Sequence, residues 1–319
     1  MLPIPPDRSD RPSICIDGFN LAIPKGSGIA TYGRNLLDAA HARGMKVYLD
    51  IVANHTADVI QYRECPEGRC AYRSRADYPY TRRGGVDGAP INEGFDGRDF
   101  SRLTRSDYAY TPYVPAGEEN AKVPAWLNDP IRYHNRGEST FAGESGLDGD
   151  FAGLDDLLTE DPVVVQGMIE VFGGWIDRYG VDGFRIDTAR HVNPEFWQAF
   201  IPAMIQRAEA KGIPNFHIFG EVYDPDPAVT ARFTRVDDYP AVLDFPFQKQ
   251  ATDFAAGKTG GDALAKLFDA DALYANGADT AAILPTFLGN HDMGRIGFFV
   301  KQANPEADDA ELLARIKLA

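Results

Sequence analysis

Apolar residues recur at helical spacing between Pro162 and Tyr179, where Val165, Met168, Ile169, Phe172, Trp175, Ile176 and Tyr179 mark one buried face. Asp161 can cap this helix, Pro162 suits its first position, and Gly180 stops it. The pattern then switches to a short apolar strand, Gly183-Phe-Arg-Ile-Asp187, which ends in a cluster of polar groups through Arg190 and His191. A second helix is expected over 194–210, followed by a strand His217–Gly220 with Glu221 at its end. Two further apolar runs, Val242–Phe247 and Ile283–Leu288, predict a fourth and a fifth strand, the last leading into Gly289-Asn290-His291-Asp292. Upstream, a helix stops at Gly44, and the β-rich run Met45–Ala53 carries Asp50 inside and Asn54-His55 at its tip. Strands alternating with helices predict a parallel sheet.

The remainder is less regular. Residues 13–37 read as a strand, a Gly-rich loop (Lys25-Gly-Ser-Gly28) and a helix start. The loop lacks the Gly-Lys-Ser/Thr ending of a phosphate-binding P-loop. Residues 57–156 hold many Asn, Asp, Gly and aromatic residues, including Tyr78, Tyr80 and the run Arg82-Arg-Gly-Gly85. A loop of that length inside a compact domain is functional or is a small subdomain of its own. Its aromatic and amide-rich composition suits sugars, whose apolar faces stack on rings while their hydroxyls bond polar groups.

The polar groups at strand ends carry the candidate chemistry. Asp187, Glu221 and Asp292 are spaced as one and then two strand–helix repeats, so a closed sheet brings them to one rim. Like charges brought together raise one another's pKa at a cost in stability. That cost has a use where one carboxyl must stay protonated as a general acid. A charged loop capping a core strand is the simpler reading of any one of these ends taken alone.

Composition narrows the partners. The chain has 319 residues, 44% of them apolar, enough for one large α/β domain or two medium ones. Its net charge of −15 excludes a nucleic-acid-binding face. No uncharged apolar window is long enough for a membrane helix. The start, Met1-Leu-Pro-Ile-Pro-Pro, has no apolar signal core, which reads as cytoplasmic by default. Cys65 and Cys70 point to a secreted or periplasmic parent if they close a disulfide, with Cys15 left over; two free thiols are the other reading.

Four stretches resemble the signature regions of the α-amylase family of glycoside hydrolases. They are Asp50-Ile-Val-Ala-Asn-His55, Gly183-Phe-Arg-Ile-Asp-Thr-Ala-Arg-His191, Gly220-Glu-Val222 and Phe287-Leu-Gly-Asn-His-Asp292, in the family's order. Phe151-Ala-Gly-Leu-Asp155 is similar to a divergent fifth region. The resemblance implies a TIM (β/α)8-type barrel with strands three to seven present and a long subdomain inserted after strand three. It makes 38–56 and 157–319 a partial catalytic barrel and 57–156 the insertion. It implies that Asp187 is the nucleophile, Glu221 the acid/base, and Asp292 a group that binds sugar hydroxyls and steadies the transition state. Asp50, His55, Arg185, Arg190, His191 and His291 follow as substrate-binding positions, with Arg185 holding Asp187 ionised. A retaining carboxyl pair of this kind is expected roughly 5–5.5 Å apart. The resemblance further implies a structural Ca²⁺ held by Asn54, Asp155 and the backbone carbonyl of His191, oxygen donors of the type calcium takes.

Residues 1–37 instead resemble the first βα unit of nucleotide-sugar glycosyltransferases, with a join near residues 35–38. The family's first two strands, its eighth strand and its C-terminal β-domain have no counterpart in the sequence. Two readings follow: a retaining hydrolase acting on α-glucans or maltooligosaccharides, or a truncated or chimaeric remnant that at most binds them. An incomplete barrel also leaves two sheet edges through which copies can self-associate.

Overall fold

A computed structural model describes residues 28–66, 69–78 and 109–319. The expected strand and Gly-rich loop within 13–27, and Arg82–Gly85, lie outside the described residues. Helix α1 (Gly28–Ala42) runs unbroken across the expected join, and Gly44 follows with φ +69°, a conformation that favours glycine. It leads into strand β1 (Tyr48–Val52).

Helix α2 (Pro162–Tyr179) starts where expected: the Asp161 carboxylate accepts from Val163 N at 2.9 Å, and Gly180 ends it with φ +62°. Strand β2 (Gly183–Asp187), helix α3 (Pro194–Ala210) and strand β3 (His217–Gly220) follow. Helix α4 (Pro227–Val236) then leads to strand β4 (Ala241–Val242). The four strands form one parallel sheet in the order β1-β2-β3-β4, as the strand–helix alternation predicts.

The two faces of this sheet differ, because side chains alternate along a strand. Phe184 and Ile186 point to the helical side, where they are fully buried with Met168, Ile176, Phe196, Trp197 and Phe200. Burying each such side chain stabilises by about 1.5–3 kcal/mol. Arg185 and Asp187 point to the opposite face, with Asp50 beside them in register with Arg185. The Asp50 side chain is 51% exposed, so the described residues leave this face open.

Two expected strands differ in the structure. The run 242–247 keeps only Ala241–Val242 as strand, and helix α5 (Phe245–Ala255) begins inside it. Asp244 caps that helix through Phe247 N at 2.9 Å, and Pro246, lacking an N–H, suits a first turn better than a ladder. The run 283–288 forms no strand; it meets the end of β4 through Asp244 N donating to Pro285 O at 3.1 Å and through Phe287 packing edge-on to Phe245 at 5.0 Å. Pro285 likewise has no donor for a neighbouring strand. Beyond it lie helices α6 (Ile296–Ala303) and α7 (Asp309–Leu318).

The inserted stretch is held by short pairings. His55–Thr56 pairs antiparallel with Asp155–Asp156, and Gln61–Tyr62 with Pro112–Tyr113. Cys65 and Cys70 form a disulfide with Cα atoms 5.7 Å apart, which selects the paired reading over two free thiols. No helix among the described residues is long and apolar enough to cross a membrane.

Candidate active site

Arg185 is the hub of the open face. Its Nη1 donates to Asp50 Oδ1 at 2.8 Å and also to Asp187 Oδ1. Its Nη2 lies 2.9 Å from Glu221 Oε1 and 3.9 Å from Asp292 Oδ2. The Glu221 contact is an ion pair off the N–H axis, since Nη2 makes no hydrogen bond. One guanidinium thus meets the three carboxylates that the strand-end pattern singles out, together with Asp50 from inside β1. Register produces this: Arg185 and Asp187 are two apart on β2, and Asp50 is directly across on β1. Glu221 arrives because its N–H continues the β3 ladder, donating to Ile186 O at 2.8 Å.

Glu221 is the perturbed group. It is buried, and desolvation pushes its carboxyl up to about 7. Arg185 works against that push, while the Asp187 charge and a hydrogen bond to Asp187 reinforce it. Thr188 N donates to Glu221 Oε2 at 3.4 Å from a residue with φ +51°. Asp187 therefore faces a neighbouring acid that holds its proton near neutrality. That is the asymmetric carboxyl pair that acid catalysis beside a nucleophile requires.

The remaining expected positions fall into two groups. His55 stacks on Phe151, rings 5.1 Å apart and 14° from parallel, and His191 sets its edge against the same ring at 5.2 Å. Asn54 Nδ2 donates to His55 Nδ1 at 3.2 Å, placing the ring proton on Nε2. His191 Nδ1 donates to Gly146 O at 2.7 Å. Burial lowers the pKa of both imidazoles, favouring the neutral rings. At the other side, Asp292 stands on a turn in which Asn290 Oδ1 accepts from Asp292 N and Met293 N, each at 3.0 Å. His291 Nε2 lies 3.2 Å from Asp292 Oδ2, and both side chains are well exposed. Arg190 turns away from the carboxylates: its Nη1 donates to Tyr223 O at 2.8 Å and lies 3.7 Å from Asp224 Oδ2. It braces the loop that follows Glu221.

Sequence reasoning did not single out Phe141, whose ring packs edge-on to Phe151 and His191 at 5.1 and 6.1 Å. Nor did it find Lys122. That side chain is buried, and its ammonium pairs with Asp155 and lies 3.2 Å from Tyr133 Oη. Neither residue sits in a periodic pattern that marks it.

Of the oxygens expected to hold calcium, those of the Asp155 carboxylate are already engaged. Asp155 Oδ2 accepts from Val59 N at 3.1 Å and Ile60 N at 3.0 Å in addition to Lys122. The next carboxylate, Asp156, is 2.5 Å from His134 Nδ1. A carboxylate saturated by N–H donors and an ammonium does not fit a Ca²⁺, which needs six to eight oxygens. His134, Asp148 and Glu160 form a separate group whose ligand atoms lie within 4.8 Å of one another. Arg75 pairs with both Asp148 and Glu160 there, the latter at 2.9 Å. Burial disfavours the His134 charge, but Glu160, Asp148 and Asp156 outweigh it and hold the imidazole pKa well above its ordinary value.

A parallel sheet that collects coupled carboxylates beyond the carboxyl ends of its strands is the arrangement of a barrel-type catalytic domain. The model of the alpha-amylase catalytic domain matches residues 28–318, and the chain belongs to that family. It is 47% identical over 289 residues to an alpha-amylase of Streptomyces lividans, covering 90% of this chain and 31% of that protein. Among solved structures, an Anoxybacillus alpha-amylase superposes with a TM-score of 0.58 at 24% identity, covering 89% of this chain and 47% of that one. The alpha-amylase of Geobacillus thermoleovorans, solved with acarbose, gives 0.54 at 23% identity, over 89% and 48%. The chain therefore spans between about a third and a half of the length of the relatives it matches. The family match begins at residue 28 and takes in all of α1, and the glycosyltransferase-like start finds no support.

Proposed function

We propose that this chain carries the catalytic machinery of a retaining hydrolase acting on α-glucosidic bonds of starch-type glucans and maltooligosaccharides. One observation carries the reading: the buried Glu221 carboxyl shares the Arg185 guanidinium with Asp187, Oε1 lying 2.9 Å from Nη2. Four stretches that match the family's signature regions converge on one guanidinium, which favours an enzyme over a remnant that only binds sugar.

Asp187 is the nucleophile. Its carboxylate attacks the anomeric carbon while the Glu221 proton passes to the departing glycosidic oxygen, so one C–O bond forms as another breaks. Glu221, now a carboxylate, takes a proton from water. The water oxygen attacks the same carbon and releases Asp187. Two displacements at one carbon return the original configuration. Arg185 orients the Asp187 carboxylate through a charge-assisted hydrogen bond and holds Asp50 in place. Asp292, on the open side, binds sugar hydroxyls with His291, and the neutral His55 offers its Nε2 proton. Phe151, His55 and His191 form an aromatic wall suited to one face of a glucose ring. Arg190 and His191 shape the leaving-group side, Arg190 through the loop at Tyr223.

The 57–156 stretch is read as a subdomain inserted in a partial barrel made of 38–56 and 157–319. No step in this chemistry passes through a metal. The Cys65–Cys70 disulfide suits an oxidising compartment and favours secretion.

Proton NMR of a maltooligosaccharide digest tests the mechanism. The first reducing ends released are α-anomers, which then mutarotate. Initial release of β-anomers contradicts a double displacement and with it the nucleophile role of Asp187.

A further inference from the structure

The junction between the inserted stretch and the sheet is fastened by a buried side-chain cation. Lys122 comes from the insertion, where its backbone is pinned by Asn128: Lys122 N donates to Asn128 Oδ1 at 2.9 Å, and Asn128 Nδ2 donates back to Lys122 O at 2.7 Å. Its stem runs inward, leaving the residue 8% exposed. The ammonium reaches Asp155 and sits 4.3 Å from the centre of the Tyr133 ring. Tyr133 Oη is tied in turn to Leu127 O at 2.6 Å and to Thr56 Oγ1 at 3.2 Å. Asp155 gathers Val59 N and Ile60 N, in the segment that leaves β1, onto the same carboxylate. A single positive charge thus ties together the chain after β1, the middle of the insertion and its far end.

A divalent ion bridging barrel and insertion at Asn54, Asp155 and His191 would occupy the same carboxylate. It would have to displace Lys122 and leave a buried ammonium without its counter-charge, which is costly. The neighbouring Asp156 offers no substitute, being paired with His134.

We propose that Lys122 is the built-in cation of this junction and that the chain holds its insertion in place without calcium there. The claim concerns folding and stands whether or not the hydrolase reading does.

Thermal unfolding of the full chain in excess EDTA and in excess CaCl2 tests it. The expected result is the same Tm in both. Lys122→Met keeps the apolar stem and removes the charge, and in EDTA its Tm falls by about 5–15 °C below wild type. Should that variant not fold at all, the wild-type comparison still decides, with Asp155→Asn as control. A wild-type Tm that drops on chelation, with the drop abolished in Asp155→Asn, overturns the proposal. So does a Lys122→Met Tm equal to wild type. A chelation effect that persists unchanged in Asp155→Asn puts the ion elsewhere and leaves Lys122 as the cation of this junction.

Discussion

Asp187→Asn is expected to lower kcat on a maltooligosaccharide by roughly four to six orders of magnitude, the scale seen when a catalytic nucleophile is removed. The amide keeps the shape of the side chain and can still meet Arg185, so KM should change little. What disappears is the charge that attacks the anomeric carbon. Two side effects separate this account from a merely structural role. The Asp187 charge is one cause of the raised Glu221 pKa, so that pKa should fall in the variant, as followed by carboxyl chemical shift against pH. The fold should not suffer, because a like charge beside Glu221 has been removed and active-site strain of this kind costs stability. A variant that loses activity and also loses several degrees of Tm would point to Asp187 as a structural partner of Arg185.

Glu221→Gln should lower kcat by about 10²–10⁴-fold, the usual contribution of a positioned proton donor. Its pH dependence is the sharper readout. In the wild type the acid must carry its proton, and burial holds that proton up to about 7, so kcat/KM should decline as pH rises through that value. Glutamine does not titrate, and the alkaline limb should vanish from the residual activity. Stability is linked with the same sign. A carboxyl whose folded pKa is raised binds more protons in the native state, so its contribution is full below the ordinary carboxylate range near 4.5 and is lost as pH rises through about 7. Unfolding free energy measured across this window should slope less in Glu221→Gln than in the wild type. Parallel slopes in the two proteins would show that Glu221 is not the titrating group.

Much of the site was legible because it lies where apolar patterns stop. Gly183–Ile186 had to be strand, being short, apolar and bounded by Gly180 and by charge; Asp187 at its end then had to face the rim. Glu221 followed from the same logic at the end of His217–Gly220. The alternation also placed Arg185 and Asp187 on one face, since they are two apart. What could not be read was the pairing across strands. The meeting of Asp50 with Arg185 depends on β1 and β2 being neighbours in one register, which local patterns do not specify.

Two of the misreadings have a physical source already present in the chain. The runs 242–247 and 283–288 are apolar enough for strands, but each contains a proline that removes a ladder donor. Pro246, together with the capping Asp244, turns the first into a helix start. Asp292 consequently reaches the site from a turn built by Asn290 rather than from a strand end, yet still comes within 3.9 Å of Arg185. Lys122 and Phe141 were invisible for another reason. They sit in an irregular stretch without period, where only the folded path of the chain decides which lysine is buried and against what. An Asp at position 155 looks the same in sequence whether its partner is a metal or an ammonium.

The central claim is that Asp187 forms a glycosyl bond which Glu221 helps to make and then break. The most direct test uses Glu221→Gln with α-maltosyl fluoride, whose leaving group needs no acid. Attack can then proceed while water activation is lost, and the intermediate should accumulate. Mass spectrometry of the quenched protein should find one added maltosyl unit, located on the peptide that carries Asp187. An adduct on another residue, or turnover to the β-anomer with no adduct, would contradict the account.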